Sequence, residues 1–564
     1  MNAKKVVIVG GGIAGMVAAT LLAEQGFKVE LYELANELGG KAKSLRTKDG
    51  NPIEHSHRVY SKDYKTLLPI LAKIPDGNHY VIDNLITPKK AIISNTKGEI
   101  FINLKFRQRK QLNSLEQFLF CIFQPIVNGI KILLIMFLFP YKMKRIGIPI
   151  RESIWCLLKH IQFLMMCEER QQKLFSGQSY GEFLCIENKS DNFKQFISTY
   201  ISVLVAARLE TEAIGCARLF SNSMLTMRGV IKGLEHLGGI MIMNGPTSER
   251  LFNPWQKYLI HLGVNIHLGV SLNSIETEKN LIKSFTFSDG TKATSDHYIC
   301  AVPLVVLTDL VNKCSLANID LSLINVNEPK MEWSNSAQFF LSALPNNNAT
   351  SFEPGVLNLH INSPWDIVSI VQGKGIWNNV EMPPDMPYVL SATFSNVHSH
   401  GVVFNKPLIA CSETEIFEEL LTQMGFVDRD LVMSWHLDYE LIIMEDSEYQ
   451  QKKDNLRSHL ASDVYDGKRM LTYAPLGLMR PNQKPLKTVS KISNLYLAGE
   501  HIDTQYRIPT MEKAAESGRR AAMEVANQVN PSIAEAIKLQ DRDFIKPFSF
   551  VQNLDNLVYQ WQFR

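Results

Sequence analysis

The sequence contains no C-x-x-C pair, no H-E-x-x-H helix signature and no G-x-x-x-x-G-K-[ST] loop. Those absences set aside a zinc ribbon or redox dithiol, a zinc protease and a P-loop nucleotidase. Eight cysteines stand singly at 121, 156, 167, 185, 216, 300, 314 and 411, and they read as buried free thiols of a reducing compartment, with no metal site. An excess of either charge is also missing. The 59 Lys and Arg nearly balance the 56 Asp and Glu, and a net charge of +3 gives nucleic acid no footprint. There is no internal repeat, low-complexity tract or Pro/Ser-rich linker, so 564 residues must form two or three lobes. No secretory signal peptide is expected. The apolar run after Lys4 and Lys5 breaks at once into three glycines, which suits a strand.

That strand opens the informative part of the chain. Lys5 to Val9 (KVVIV) has the β-branched, uniformly apolar character of a buried parallel strand. Gly10, Gly12 and Gly15 then fit G-x-G-x-x-G, with Ile13 and Ala14 between the last two. Met16 to Gln25 has helical spacing and Gly26 can end it. Val29 to Tyr32 forms a second strand, and Glu33 closes it 18 residues after Gly15. Each part has a physical task. Gly10 permits a tight turn, Gly12 lets backbone approach a pyrophosphate, and Gly15 lets helix and strand pack closely. The helix start offers free N–H groups and a positive dipole end to phosphate, and Glu33 can accept from ribose hydroxyls. Strand, helix, strand and acid in register predict a dinucleotide site.

A second glycine pair follows in Leu38-Gly39-Gly40-Lys41-Ala42. It resembles the second motif of the flavin amine oxidase and phytoene desaturase superfamily, which usually has Arg where Lys41 stands. Lys keeps the charge and loses the planar fork. Near the other end, residues 494–522 read NLYLAGEHIDTQYRIPTMEKAAESGRRAA. This resembles the closing flavin motif of phytoene and ζ-carotene desaturases and of hydroxysqualene-dehydroxylating flavoproteins. The resemblance implies FAD as cofactor, with Gly499 and Glu500 along its ribityl–pyrophosphate chain. It also implies that Thr510 and Met511, at a helix start, face the flavin N1–O2 edge, where a helix dipole stabilises negative charge. A third block runs from Asn244 through Pro254-Trp255 to Pro303. In the resemblance it passes the adenine, with Leu272 at the position whose backbone meets that ring.

These three blocks predict an α/β fold: a Rossmann-type FAD-binding domain with an inserted α+β substrate domain. The FAD lobe is expected to be discontinuous, over 1–75, 236–312 and 468–530. The substrate and membrane-contact lobe is expected over 76–235 and 313–467. The tail, 531–564, carries Phe544, Phe548, Phe550, Tyr559 and Trp561 and is expected to pack on the body.

Residues 118–140 (FLFCIFQPIVNGIKILLIMFLFP) are long enough to span a bilayer, but Gln124, Pro125, Asn128, Gly129 and Lys131 interrupt them. Basic residues flank the stretch on both sides: Lys105, Arg107, Arg109 and Lys110, then Lys142, Lys144 and Arg145. Two short apolar helices dipping into one leaflet fit this pattern, and Ile154 to Met166 adds a second apolar patch. The alternatives are helices lining an apolar tunnel, or a true span. Localisation is accordingly expected as peripheral, on the cytoplasmic side of a membrane.

One cluster suggests chemistry beyond the cofactor: Glu54-His55-Ser56-His57-Arg58-Val59-Tyr60. The superfamily places such a segment beside the isoalloxazine, often with a His, and Arg58 aligns with that His. His55, His57 and Arg58 are candidates for proton transfer or substrate anchoring; the alternative is that they pack or bind FAD without catalysing anything. The leading functional expectation is an FAD-dependent desaturase or dehydrogenase of a lipophilic, isoprenoid-like substrate, with a quinone or oxygen as electron acceptor. A peroxide-producing flavin amine oxidase and a non-catalytic flavin-bound membrane protein are the alternatives.

Overall fold

The computed structural model describes residues 4–61, 64–97, 99–105, 137–205, 207–227, 240–314, 316, 331–332, 334–345, 352–452, 461–472, 476–477, 485–538 and 549–563. Its first lobe is built on a parallel sheet of order Asn265–His267, Lys28–Tyr32, Lys5–Val9, His297–Cys300, Leu495–Leu497. The strands alternate between two cores, as the period of two requires. Val6, Ile8, Val29, Leu31, Ile299 and Tyr496 face one layer. Val7, Val9, Tyr32, Tyr298, Cys300, Leu495 and Leu497 face the other. Helices Ile13–Ala23, Asn253–His261 and Met511–Val529 cover the first face. A three-stranded meander (Leu272–Glu278, Leu281–Phe287, Lys292–Ala293) and helix Leu304–Lys313 cover the second. With both faces covered, the strand sequences are nearly all apolar, which is why KVVIV reads as a run without alternation.

Helices Ile13–Ala23 and Met511–Val529 meet at a glycine. A Cβ on Gly518 would lie 2.1 Å from the Ala14 carbonyl oxygen, so only glycine allows this approach. Trp255 is fully buried beneath the first helix, and its indole N–H donates to Thr20 Oγ1 at 2.8 Å. Burying each large apolar side chain of this layer contributes roughly 1.5–3 kcal/mol.

The second lobe is a seven-stranded mixed sheet of order Ile100–Lys105, Lys90–Asn95, Val356–Ile361, Ile367–Gly373, Tyr388–Phe394, Asn335–Leu341, Val432–Leu437. One face carries Ala337, Phe339, Leu390, Ala392 and Phe394 into a core shared with helix Glu413–Gln423. The opposite face presents Ser336, Gln338 and Thr393 to the nucleotide lobe, where they bond to the Glu54 carbonyl and to His57. A helical unit (Ile150–Met165, Glu168–Phe175, Asp191–Val205, Ala213–Met227) completes the lobe around a core rich in Phe, including Phe163, Phe183, Phe193 and Phe220.

Three expectations need correction or limitation. Lys468–Thr472, assigned above to the nucleotide lobe, pairs instead with Leu441–Glu445 and Ala461–Tyr465, in a small sheet that shares the second lobe's core. All seven cysteines among the described residues are free, but Cys185 is exposed and Cys314 half-buried, so burial is not general. Residues 106–136, which hold most of the 118–140 stretch, lie outside the described residues. Among the described residues no helix is long and apolar enough to cross a membrane. Of the tail, helices Pro531–Ile537 and Ser549–Phe563 are described.

Candidate functional site

The glycine turn after the first strand is shaped as its spacing suggests. Gly10 sits at φ +104°, and a Cβ there would lie 2.4 Å from the Ala301 carbonyl oxygen. A Cβ on Gly15 would lie 1.9 Å from the Gly10 carbonyl oxygen. Gly12 differs: a Cβ would meet nothing nearer than Gly40 Cα at 3.9 Å. Gly12 is also the N-cap of the first helix and offers no side-chain cap, while Ile13 and Ala14 behind it are buried. A buried helix start without a cap leaves N–H donors and dipole charge for an anion. Glu33 closes the site. Its Oε2 accepts from Gly11 N at 2.6 Å and its Oε1 from Ala35 N at 2.8 Å, which fixes the carboxylate and leaves lone pairs for hydroxyls. The chain from Gly269 to Leu272 runs beside it, with Val270 N donating to the Glu33 carbonyl at 2.9 Å and Leu272 half-buried at the start of the meander.

The second glycine pair folds over the first. Gly39 N donates to the Gly11 carbonyl at 2.9 Å, and Gly39 (φ +119°) and Gly40 (φ +56°) take backbone shapes that favour glycine. Lys41 leaves this turn and bonds Glu500 Oε1 at 2.7 Å. Arg58 donates to the Lys41 carbonyl at 2.5 Å and to Ser56 Oγ at 2.7 Å. The block at 244–251 acts here as a clamp. Thr247 N and Oγ1 donate to Glu54 Oε1 at 2.7 and 2.8 Å, and Ser44 and Ser248 exchange bonds of 2.8 Å. Burial raises the Glu54 pKa, and the charge of Arg58 and the Thr247 bonds oppose it.

At the closing motif, Gly499 (φ +130°) leads from the fifth strand into Glu500 and His501. His501 is buried and neither ring nitrogen has a hydrogen-bond partner among the described residues; burial pushes its pKa down to about 4. Thr510 caps helix Met511–Val529, its Oγ1 accepting from Lys513 N at 3.1 Å, and Met511 begins that helix. Glu512 is fully buried and accepts from Thr66 N at 2.6 Å and Leu67 N at 2.9 Å, so it caps a neighbouring helix. Lys513 is buried too, with Nζ 3.5 Å from the Arg507 carbonyl. Burial lowers its pKa to about 8, against the pull of Glu500, Glu212 and Asp503. Arg507 is itself paired with Glu212.

The histidine cluster divides. His55 Nδ1 lies 2.7 Å from Asp438 Oδ2, with both side chains buried. Asp438 also accepts from Asn335 Nδ2 at 3.1 Å and Ser336 N at 3.2 Å. A carboxylate on Nδ1 fixes the tautomer and leaves Nε2 as the proton acceptor. His57 Nδ1 lies 3.2 Å from Thr393 Oγ1, and burial, with Arg58, pushes its pKa down to about 4. His57 is therefore neutral at pH 7 and suited to hydrogen bonding, whereas His55 has the geometry of a proton carrier. The sequence reading gave no role to Asp438, Glu512, His501 or the Lys513–Glu212–Arg507 group. Asp438, Glu512 and the Arg507–Glu212 pair acquire theirs from partners far away in the chain.

These residues fit a dinucleotide cofactor. The clear space over Gly12, the uncapped helix start and the anchored Glu33 suit phosphates and ribose, and the unpartnered His501 ring leaves polar capacity near Gly499. Fold and site thus define a dinucleotide-binding protein with a doubly wound nucleotide lobe and an inserted α+β lobe. Residues 13–322 and 454–526 match the model of the flavin containing amine oxidoreductase family, and the chain belongs to that family. It is 20% identical over 569 residues to a 15-cis-phytoene desaturase of an Oncidium hybrid cultivar, covering 94% of this chain and 79% of that one. It is 37% identical over 103 residues to a zeta-carotene desaturase of Zea mays, a match that takes in only 18% of this chain and 17% of the maize protein. Among solved structures, wild-type putrescine oxidase bound to putrescine superposes with a TM-score of 0.57 at 11% identity, covering 93% of this chain and 99% of that one. An oxidoreductase from Methanosarcina mazei superposes with a TM-score of 0.52 at 13% identity, covering 93% and 100%. At these identities the structural likeness concerns the fold.

Proposed function

We propose that the chain binds FAD and oxidises a lipophilic substrate as a desaturase or dehydrogenase, passing electrons on to a quinone or oxygen. The observation that carries the proposal is the buried, uncapped helix start under the open space at Gly12. It is tied through Gly39 and the Lys41–Glu500 pair to the closing motif. The similarity to phytoene desaturase along nearly the whole chain favours a long apolar substrate over an amine. FAD supplies a two-electron acceptor, which is the chemistry the side chains lack. The protein's share is to cradle the phosphates with the Ile13, Ala14 and Gly15 amides, to hold ribose hydroxyls at Glu33, and to place Thr510 and Met511 at a positive helix end. Leu272 lies along the adenine side. When two hydrogens leave neighbouring carbons, one departs as a proton. His55, oriented by Asp438, is the group suited to receive it, with His57 and Arg58 as fixed hydrogen-bonding walls.

The test is reconstitution followed by anaerobic turnover. Cofactor released by heat should chromatograph as FAD and not FMN. Reconstituted protein mixed with an isoprenoid polyene in detergent should bleach at 450 nm and recover with a soluble quinone. Bleaching by a diamine, with peroxide on reoxidation, would assign the amine oxidase chemistry instead. A protein that takes up no flavin would remove both.

A further inference from the structure

The last described helix, Ser549–Phe563, is docked the wrong way round for a globular protein. Its polar edge faces inward. Gln552 Nε2 donates to the Leu164 carbonyl at 2.6 Å. Asp555 accepts from Cys167 N at 2.8 Å and pairs with Arg170 at 3.0 Å. Tyr559 lies under the Arg170 guanidinium, 5.2 Å from its ring centre. Its apolar stripe faces outward: Phe550, Leu554, Leu557, Val558 and Trp561, at the i, i+4, i+7, i+8, i+11 spacing of one helix face. Trp561 is 84% exposed, Phe550 73% and Leu557 65%. Hydrophobic burial alone would turn this helix over, so its outer face is built for an apolar environment.

The helix it packs on repeats the pattern. Ile150, Ile154, Leu158 and Met165 fall on one face of Ile150–Met165 and are exposed, as are Phe137 and Tyr141 just before it. The surrounding charge is net positive. Between residues 137 and 175 stand Lys142, Lys144, Arg145, Arg151, Lys159, Arg170 and Lys173, against Glu152, Glu168 and Glu169. Of these acids, Glu152 is buried and bonded to Ser190, and Glu168 is paired with Arg218. Two copies facing each other across this patch would oppose cation to cation. An apolar stripe with Trp at its end, bordered by cations, matches the headgroup layer of an anionic bilayer.

We infer that the outer face of Ser549–Phe563, with the exposed row of Ile150–Met165, is a docking surface for an anionic lipid bilayer. None of these residues belongs to the cofactor site, so the inference stands or falls independently of the flavin chemistry. The helix lies in the interface plane with its apolar side down, Trp561 at headgroup level and the cations against lipid phosphate. A patch of this kind gives reversible, salt-sensitive attachment.

Flotation of the full chain through a density gradient with vesicles tests it. The protein should rise with phosphatidylcholine–phosphatidylglycerol vesicles, and less with phosphatidylcholine alone. The triple variant Phe550→Ser, Leu557→Ser, Trp561→Ser should partition about tenfold more weakly or worse, with an unchanged thermal midpoint. Leu557→Arg alone should show the same trend should the triple variant fold poorly. Lys144→Glu with Arg145→Glu should remove the preference for phosphatidylglycerol. Equal flotation of parent and apolar-stripe variants would overturn the inference. So would a parent that ignores both vesicle types, or one whose stripe is covered in a dimer that light scattering sees the triple variant abolish.

Discussion

Lys41 Nζ lies 2.7 Å from Glu500 Oε1, a bond between residues 459 positions apart that joins the second glycine pair to the closing motif. It makes the two ends of the chain one site. Lys41→Met should leave Glu500 half-buried without its cation and weaken flavin retention, while Lys41→Arg, the residue more usual in the superfamily, should retain it. Equilibrium dialysis against FAD measures both, and a loss of roughly tenfold for Lys41→Met is expected.

His55 and Asp438 give the second prediction. Asp438→Asn preserves the shape but no longer enforces the Nδ1–H tautomer. Turnover should fall on the order of a hundredfold with substrate affinity little changed. The long-range nitrogen–proton NMR spectrum of His55 should show the tautomer shift directly. A variant with parent turnover would assign His55 a packing role.

Glu512 is a structural acid inside a cofactor motif. Glu512→Ala would leave the Thr66 and Leu67 amides without an acceptor, at a cost of about 1–3 kcal/mol each. Glu512→Gln, which keeps one carbonyl oxygen, should cost less. Urea midpoints of the cofactor-free protein report the difference.

Lys513 sets a pH dependence. Its folded pKa, about 8, lies below the ordinary lysine value of 10.5, so the folded state binds fewer protons between those values and stability rises with pH across that window. Below pH 8 the full cost of the buried ammonium is present. Lys513→Met should therefore stabilise the cofactor-free protein at pH 7, by an amount on the order of 1–3 kcal/mol, and the gain should shrink between pH 8 and 10.5. Paired denaturation curves across pH measure this directly.

What the sequence could and could not convey follows from distance along the chain. Gly10, Gly12, Gly15 and Glu33 act within one strand–helix–strand unit, so their spacing alone specifies the turn, the open approach and the acid. The partnership of His55 with Asp438 spans 383 positions and depends on the register of a strand in the second lobe. The role of Glu512 depends on Thr66, 446 positions away. The aromatic residues of the tail were visible, but not that Gln552 and Asp555 would hold the helix and leave Phe550 and Trp561 outside. The edge of the nucleotide lobe near 468 was misplaced because Lys468–Thr472 is an ordinary strand whose partners are decided by tertiary pairing.

Gly12 is extended at φ −75°, so a side chain there costs the backbone nothing, and its Cβ meets no atom within 3.4 Å. Gly12→Val should therefore fold and melt like the cofactor-free parent, yet fill the space left for phosphate. Absorbance at 450 nm per chain after FAD reconstitution, taken with a thermal melt, is the deciding measurement. The account predicts a folded variant with flavin binding reduced about tenfold or more, and a folded variant with parent-level flavin would contradict it.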